Sequence, residues 1–122
     1  MEKPALDAER EERLRDEIIL DADDEVERAL GWYSYLEDQL HFPFTATCMA
    51  RRPISPLQVG GEVDVMRMTE EAECEHEMFV TIRWEKEGLA VLLSQLEAVY
   101  AGEATTQAVE DWHYWVRRGY EF

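Results

Sequence analysis

The chain has 122 residues, of which 46% are hydrophobic and 11% aromatic. That content is too high for a disordered acidic tail, so we expect residues 1–122 to fold as one domain. The 28 acidic and 12 basic residues give a net charge of −16. A surface of that sign repels nucleic-acid phosphates and anionic lipid headgroups, and it attracts cations and basic proteins. We therefore expect no nucleic-acid or membrane partner, and we expect a monomer.

The cysteine content and the start of the chain both favour the cytoplasm. Cys48 and Cys74 are the only cysteines, and two thiols in a chain without a signal-peptide pattern are typical of reduced cytoplasmic residues. The first 25 residues are charged throughout and have no apolar stretch of the kind that a signal peptide needs. No apolar run approaches the roughly 18 residues that span a bilayer.

Two helices are predicted in the N-terminal third. Residues 7–20 are dense in Glu and Arg, which favour helix, although residues 1–15 are expected to fray. Residues 24–39 form the second helix, and it ends before Pro43 because a residue that precedes proline is disfavoured in the helical region. Its apolar residues recur at three- and four-residue spacing: Val26, Ala29, Leu30, Tyr33, Leu36 and Leu40.

The period of the sequence changes after this helix. Alternating apolar residues and glycine-bearing turns predict a small antiparallel sheet that curls towards an SH3-like barrel. Its strands are predicted at residues 44–50, 63–68, 78–84 and 89–93. A last helix follows over residues 105–118, with Gly119 at the position of a C-cap glycine. The predicted class is α+β, with two N-terminal helices and one C-terminal helix flanking the sheet.

The segment at residues 21–27 carries acids at relative positions 1, 3, 5 and 7, as an EF-hand calcium loop does. The sixth position of such a loop needs glycine and here is Val26, and the twelfth needs a bidentate Glu and here is Trp32. We therefore reject an EF-hand. Asp21 and Asp23 stay candidate metal ligands, and a solvated turn that caps the second helix is the alternative.

Glu37 and Asp38 lie near the predicted end of the second helix, where acids oppose the helix dipole. A bound cation would remove that penalty, and it could also take unpaired C-terminal carbonyls as ligands. The alternative is that both acids simply face solvent.

Residues 70–77 hold five carboxylates and no base between two predicted strands. Repulsion in such a loop is on the order of 1 kcal/mol for each close pair. Oxygen ligands in a flexible loop suit Ca²⁺, which accepts six to eight ligands in irregular geometry, better than Mg²⁺. A solvated hairpin loop is the alternative.

Thiol and imidazole chemistry is less well supported. Cys48, Cys74, His76 and His113 could in principle hold zinc, but no CxxC or HxxxH spacing favours it. Cys74 is close in sequence to His76, yet the surrounding acids would raise the pKa of its thiol and so oppose a nucleophilic role.

Several aromatic segments, in this order, resemble the cyanobacterial calcium-binding protein family (CcbP-like). The segments are residues 31–38 (GWYSYLED), 42–44 (FPF), 74–80 (CEHEMFV), 92–96 (LLSQL) and 110–115 (EDWHYW). The resemblance extends over residues 16–122. It implies a cytosolic protein that sequesters Ca²⁺ and lowers its free level, in the founding case during heterocyst differentiation, and it does not imply an enzyme.

The leading hypothesis is therefore a calcium buffer that uses surface carboxylates and is not an enzyme. The candidate ligands come from the charge clusters and not from the family. The first set is Asp38, Glu37, Glu71, Glu73, Glu75 and Glu77, and the second set is Asp21, Asp23, Glu110 and Asp111.

Two other functional classes stay open. An acidic interaction module, either a DNA mimic or an adaptor for a basic protein partner, would depend mainly on the N-terminal acids. A metal-dependent enzyme is disfavoured because no nucleophile or base has a supporting constellation.

Overall fold

The computed structural model describes residues 4–53 and 55–122. The helices are α1 (Ala8–Arg13), α2 (Glu25–Gln39) and α3 (Glu103–Arg117). The strands are β1 (Phe44–Cys48), β2 (Glu62–Met68), β3 (Phe79–Ile82), β4 (Leu89–Leu92) and β5 (Leu96–Tyr100). A π-helical turn (Leu14–Ile18) continues α1, and 3-10 turns occupy Glu71–Cys74 and Leu93–Gln95.

The strands form one sheet in the order β4-β3-β2-β1-β5, and every neighbouring pair is antiparallel. The predicted α+β class is thereby confirmed, while the curl towards an SH3-like barrel stays a prediction. The sequence analysis did not predict β5. This strand lies at the sheet edge and only its first residue, Leu96, is buried, so it lacks the alternation that marks a half-buried strand.

The acidic turn before α2 has a capping function. Asp24 is the N-cap, and its side chain accepts a hydrogen bond from the Glu27 backbone N–H at 2.8 Å. The Glu27 carboxylate in turn accepts one from the backbone N–H of Asp23 at 2.8 Å. These two bonds satisfy donors that a helix start leaves unpaired, and they explain why α2 begins where the sequence predicts.

Gly31 allows α2 to lie directly against the preceding π-helical turn. A Cβ atom at this position would lie 2.3 Å from the Ile18 carbonyl oxygen, which is far inside van der Waals contact. Glycine lowers helix propensity by about 1 kcal/mol relative to alanine. The loss of helix propensity is offset because Gly31 allows the backbones of α2 and the π-helical turn to lie close together.

Three tryptophans join α2 to α3 in the core. Trp32 packs edge-on against Trp112, with ring centroids 4.9 Å apart, and against Trp115 at 5.6 Å. The C-terminal residue Phe122 lies beside both tryptophans of α3, and its backbone oxygen accepts a hydrogen bond from Arg28 of α2. Aromatic pairs of this kind contribute about 0.5–1.5 kcal/mol beyond the area that they bury.

A buried carboxylate ties α1 to α3. Asp111 is 1% exposed, and its oxygens accept hydrogen bonds from Arg10 at 2.6 Å and from Arg13 at 2.8 Å. The Tyr35 hydroxyl donates a third bond, at 2.7 Å. Both arginines stay charged, because their interactions with Asp111 raise their already high pKa values against the opposing effect of burial. Two arginines on one buried carboxylate give α1 a fixed position.

Further contacts hold the start of the chain. The Glu11 carboxylate accepts hydrogen bonds from the hydroxyls of Tyr114 (2.6 Å) and Tyr120 (2.8 Å), and Arg118 donates to the Pro4 carbonyl at 2.9 Å. These contacts join residues 4–11 to the C-terminal part of the chain, and the fraying of residues 1–15 stays a prediction. Residues 1–3 lie outside the described residues. Among the described helices, none has the length and apolar character to cross a bilayer.

We expect D111N to lower the free energy of unfolding by about 3 kcal/mol, because it leaves Arg13 without its carboxylate partner in a largely buried position. Urea denaturation followed by tryptophan fluorescence measures this change. E110Q is the control, since Glu110 is exposed and contacts only the outer face of Arg10 at 3.2 Å. It should cost at most about 1 kcal/mol, and equal losses in the two variants would contradict a structural role for the buried carboxylate.

His113 gives the fold a pH dependence of known sign. Its Nε2 lies 2.6 Å from the Leu96 carbonyl, and burial lowers its pKa despite that hydrogen bond, with Arg117 adding to the decrease and Glu97 and Glu110 opposing it. The unfolded chain therefore binds a proton near pH 6.5, before the folded chain does. His113 contributes stability above that pH, and this contribution is lost as the pH falls towards the folded pKa.

The stability difference between the wild type and H113Q should thus narrow between pH 7 and pH 5, by at most about 1.4 kcal/mol per pH unit. Urea titrations at each pH measure it. A difference between the wild type and H113Q that stays constant over this range would contradict the assignment.

Candidate metal site

The ten predicted carboxylates fall into three separate regions of the structure, and one of them, Asp111, is buried. One region lies between α2 and residues 70–77, a second lies at the turn before α2, and the third lies on α3. The first region combines acids from two different elements, and no lysine or arginine is among the described residues that line the cavity between them, although His76 is. This region is therefore the strongest candidate for a cation site.

A groove of about 570 Å³ separates α2 from the 3-10 turn. We call it the acidic groove. Carboxylates of Glu25, Glu71 and Glu75 line it, and its floor includes the half-buried Tyr33 and the buried Cys74. Glu71 and Glu75 belong to the predicted set, whereas Glu25 was not predicted because the sequence places it at a helix start, where an acid needs no further explanation.

The Tyr33 hydroxyl marks the point where α2 and the acidic loop meet. It donates a hydrogen bond to the Thr69 carbonyl oxygen at 2.9 Å. Burial raises the pKa of Tyr33 to about 12, and the negative charges of Glu37 and Glu71 add to this increase. Glu37 from α2 and Glu71 from the loop therefore act on the same phenol group. The Tyr33–Thr69 hydrogen bond joins α2, four residues before Glu37, to the chain two residues before Glu71.

Four other predicted ligands lie near this point without converging on it. Asp38 is exposed and accepts a hydrogen bond from the side chain of Gln39 at 3.1 Å, and Glu73 is exposed on the 3-10 turn. Glu75 lines the acidic groove. Glu77 accepts a hydrogen bond from its neighbour's backbone at 3.2 Å, and burial is the main cause of its raised pKa.

Glu77 faces a second cavity, of about 450 Å³, on the other side of the loop. Glu25 and Glu121 also line this cavity, above the tryptophans of α3. The residues 70–77 therefore divide their acids between two cavities. The sequence analysis treated them as one cluster, because a run of acids does not reveal which way each side chain turns.

Asp21 and Asp23 lie together at the turn before α2. They line a third cavity, of about 640 Å³, whose wall also includes the basic side chain of Arg15. Asp21 has a positive φ of 58°, which is uncommon for a residue with a side chain but well tolerated by aspartate. Trp32, the twelfth position of the EF-hand pattern, is fully buried and presents no oxygen. The capping alternative explains this turn without a metal.

The prediction of Glu110 and Asp111 as metal ligands needs correction. The carboxylate of Asp111 is buried between Arg10 and Arg13, and Glu110 contacts Arg10 as well. Two fixed guanidinium groups repel a metal cation and already use the oxygens that it would need. The pair therefore serves the fold.

The thiols and imidazoles do not form a zinc site. Both cysteines are free and buried, and within residues 4–53 and 55–122 no three His, Cys, Asp or Glu side chains come close enough to share a metal ion. Burial is the main cause of the raised pKa of Cys74, with Glu73 and Glu77 contributing, so this thiol is a poor nucleophile.

The donors in the acidic groove fit a hard divalent cation. They are carboxylates, which are oxygen ligands of the kind that Ca²⁺ prefers. Glu37 on α2 and the Thr69 carbonyl, which accepts the Tyr33 hydrogen bond, are the further candidate oxygen ligands, and water molecules must complete a coordination shell of six to eight. Thr69 and Tyr33 were missed, because a backbone carbonyl leaves no signal in a sequence and a helical tyrosine resembles a core residue.

These features define the class: an acidic α+β protein that offers oxygen ligands to a hard divalent cation. The model of the Calci_bind_CcbP family, described as calcium binding, matches residues 12–116. The chain belongs to this family. The predicted family is thus confirmed, and with it the family's ligand, Ca²⁺.

Solved structures agree with this assignment. The crystal structure of Anabaena CcbP is similar to this chain with a TM-score of 0.88 and 36% sequence identity, over 100% of both chains. A calcium-binding protein in its calcium-binding form is similar with a TM-score of 0.84 and 37% identity, over 95% of each chain. No curated protein sequence matches the chain.

Proposed function

We propose that this protein binds Ca²⁺ where the C-terminal half of α2 faces residues 69–71, next to the acidic groove, and buffers the free ion. Glu37 and Glu71 supply the carboxylates, and the Thr69 carbonyl oxygen supplies a neutral ligand. The observation that supports the proposal is the 2.9 Å hydrogen bond from the Tyr33 hydroxyl to the Thr69 carbonyl, which joins α2 near Glu37 to the chain just before Glu71. The site does not use an EF-hand loop.

Electrostatics at the end of α2 supports this location. The last turn of α2 contains no basic residue, so the acids at its C-terminus face the negative end of the helix dipole uncompensated. The neighbouring residues 70–77 add five carboxylates and no base. A divalent cation relieves both repulsions at once, which makes its binding favourable even with two direct carboxylate ligands.

Ca²⁺ suits this arrangement better than Mg²⁺. Magnesium requires near-ideal octahedral geometry and gives up its water reluctantly, whereas calcium accepts irregular sets of oxygens and several waters. A pair of carboxylates from two flexible surface segments provides irregular geometry. We expect dissociation constants between the micromolar and the submillimolar range, as for sites with few charged ligands.

The proposed setting is the cytoplasm, where a non-catalytic monomer of this charge would lower free Ca²⁺ and so shape calcium signals, with heterocyst differentiation as the expected context. A buffer needs only to bind and release the ion. A sensor would also need an element with two stable positions.

The test is calorimetric titration with Ca²⁺ in 0.1 M salt. We expect a defined stoichiometry and a preference over Mg²⁺, and we expect E37Q and E71Q each to weaken binding about tenfold, or 1.4 kcal/mol. E87Q removes an equal charge from the exposed β3–β4 turn and serves as the matched control. D21N/D23N tests the alternative site at the capping turn and should leave the affinity unchanged.

Heat of binding that disappears at this salt concentration would reduce the interaction to diffuse counterion attraction. Equal weakening by E37Q, E71Q and E87Q would show that net charge matters and position does not. A large loss in D21N/D23N with normal binding in E37Q would move the site to the turn before α2.

A further inference from the structure

The face of α2 that borders the acidic groove leaves apolar side chains exposed. Val26 is 63% exposed and Leu30 is 41% exposed, and these residues lie one helical turn apart. Both line the groove together with the buried Ala29 and the half-buried Tyr33. The apolar surface thus runs for about two turns along the helix, or roughly 10 Å.

Acids frame this apolar surface. Glu25 lies at one end, and Glu71 and Glu75 lie on the opposite wall. No lysine or arginine is among the described residues that line the groove. An apolar strip between carboxylates complements one type of partner surface, in which apolar side chains are flanked by Lys or Arg.

We propose that the acidic groove is a docking site for a basic amphipathic helix of a partner protein. The helix would insert apolar side chains at positions i, i+3, i+4 and i+7 between α2 and the 3-10 turn. Its basic side chains would lie over Glu25, Glu71 and Glu75. The length of the apolar strip matches two turns of such a helix.

The negative charge of the groove disfavours two other kinds of partner. A second copy of this chain also carries −16, so association through this acidic face would bring like charges together. An anionic membrane surface is repelled for the same reason. A basic helix gains both from the buried apolar area and from the opposite charge.

The groove and the proposed calcium site share Glu71. Ca²⁺ bound there would neutralise part of the acidic wall, so we infer that Ca²⁺ and the basic helix oppose each other's binding by equal factors. This coupling rests on the proposed calcium function, whereas docking of the helix in the groove does not depend on calcium binding.

The probe is a fluorescently labelled Leu/Lys peptide of about 14 residues, with leucines at helical i, i+3, i+4 and i+7 spacing. Anisotropy titrations in 0.15 M salt and a chelator should give saturable binding to the full chain. A peptide of the same composition with scrambled leucine positions should bind at least about tenfold more weakly. V26S/L30S should also weaken binding about tenfold, whereas V59S, at another exposed valine, should not.

Equal binding of the ordered and scrambled peptides, or equal binding to the wild type and V26S/L30S, would overturn docking in the groove and leave only charge attraction. Binding of phosphatidylcholine vesicles in place of the peptide would overturn the choice of partner. Added Ca²⁺ should lower the peptide affinity of the wild type. V26S/L30S should keep its calorimetric Ca²⁺ binding, so failure of docking and failure of calcium binding are separately visible.

Discussion

The packing of Trp32 against Trp112 and Trp115 determines where every functional feature of this protein lies. This contact fixes α2 on α3, and the Gly31 backbone then allows the π-helical turn to close against α2 from the other side. With one face committed to the core, α2 must present its remaining surface to the 3-10 turn at residues 71–74. The acidic groove is the space that these two elements leave between them.

Some acids of this chain accept hydrogen bonds from groups inside the fold, and others face solvent. Asp111 neutralises two arginines, Glu11 binds two tyrosine hydroxyls, and Asp24 caps α2. Such acids make the excess of negative charge compatible with a packed core, because each one replaces lost hydration with charge-assisted hydrogen bonds. Among the acids without such a partner, several lie on α2 and in the loop before β3, where their negative charge can attract cations.

The helices, four of five strands and the calcium-binding family are predictable from the sequence, since they depend on local periodicity and on contiguous segments. Strand β5, where burial stops after Leu96, and the buried position of Asp111 are not predictable in this way. That residue stands beside Glu110 and resembles any surface acid, but its environment is set by Arg13, 98 positions away along the chain. The acids at residues 70–77 were predicted as one cluster. Glu71 and Glu75 line one cavity and Glu77 lines another because of the 3-10 turn, which the sequence did not predict.

Tyr33 links the two proposed roles of the acidic groove. Its ring extends the apolar strip of Val26 and Leu30, while its hydroxyl reaches the Thr69 carbonyl beside Glu37 and Glu71. A cation at the proposed site and an apolar side chain in the groove would therefore lie near opposite ends of the Tyr33 side chain. Coupling between two ligands needs no moving domain in such a case, because both depend on the same few carboxylates and on one fixed aromatic ring. If both proposals hold, retention of Ca²⁺ depends on whether a basic partner occupies the groove.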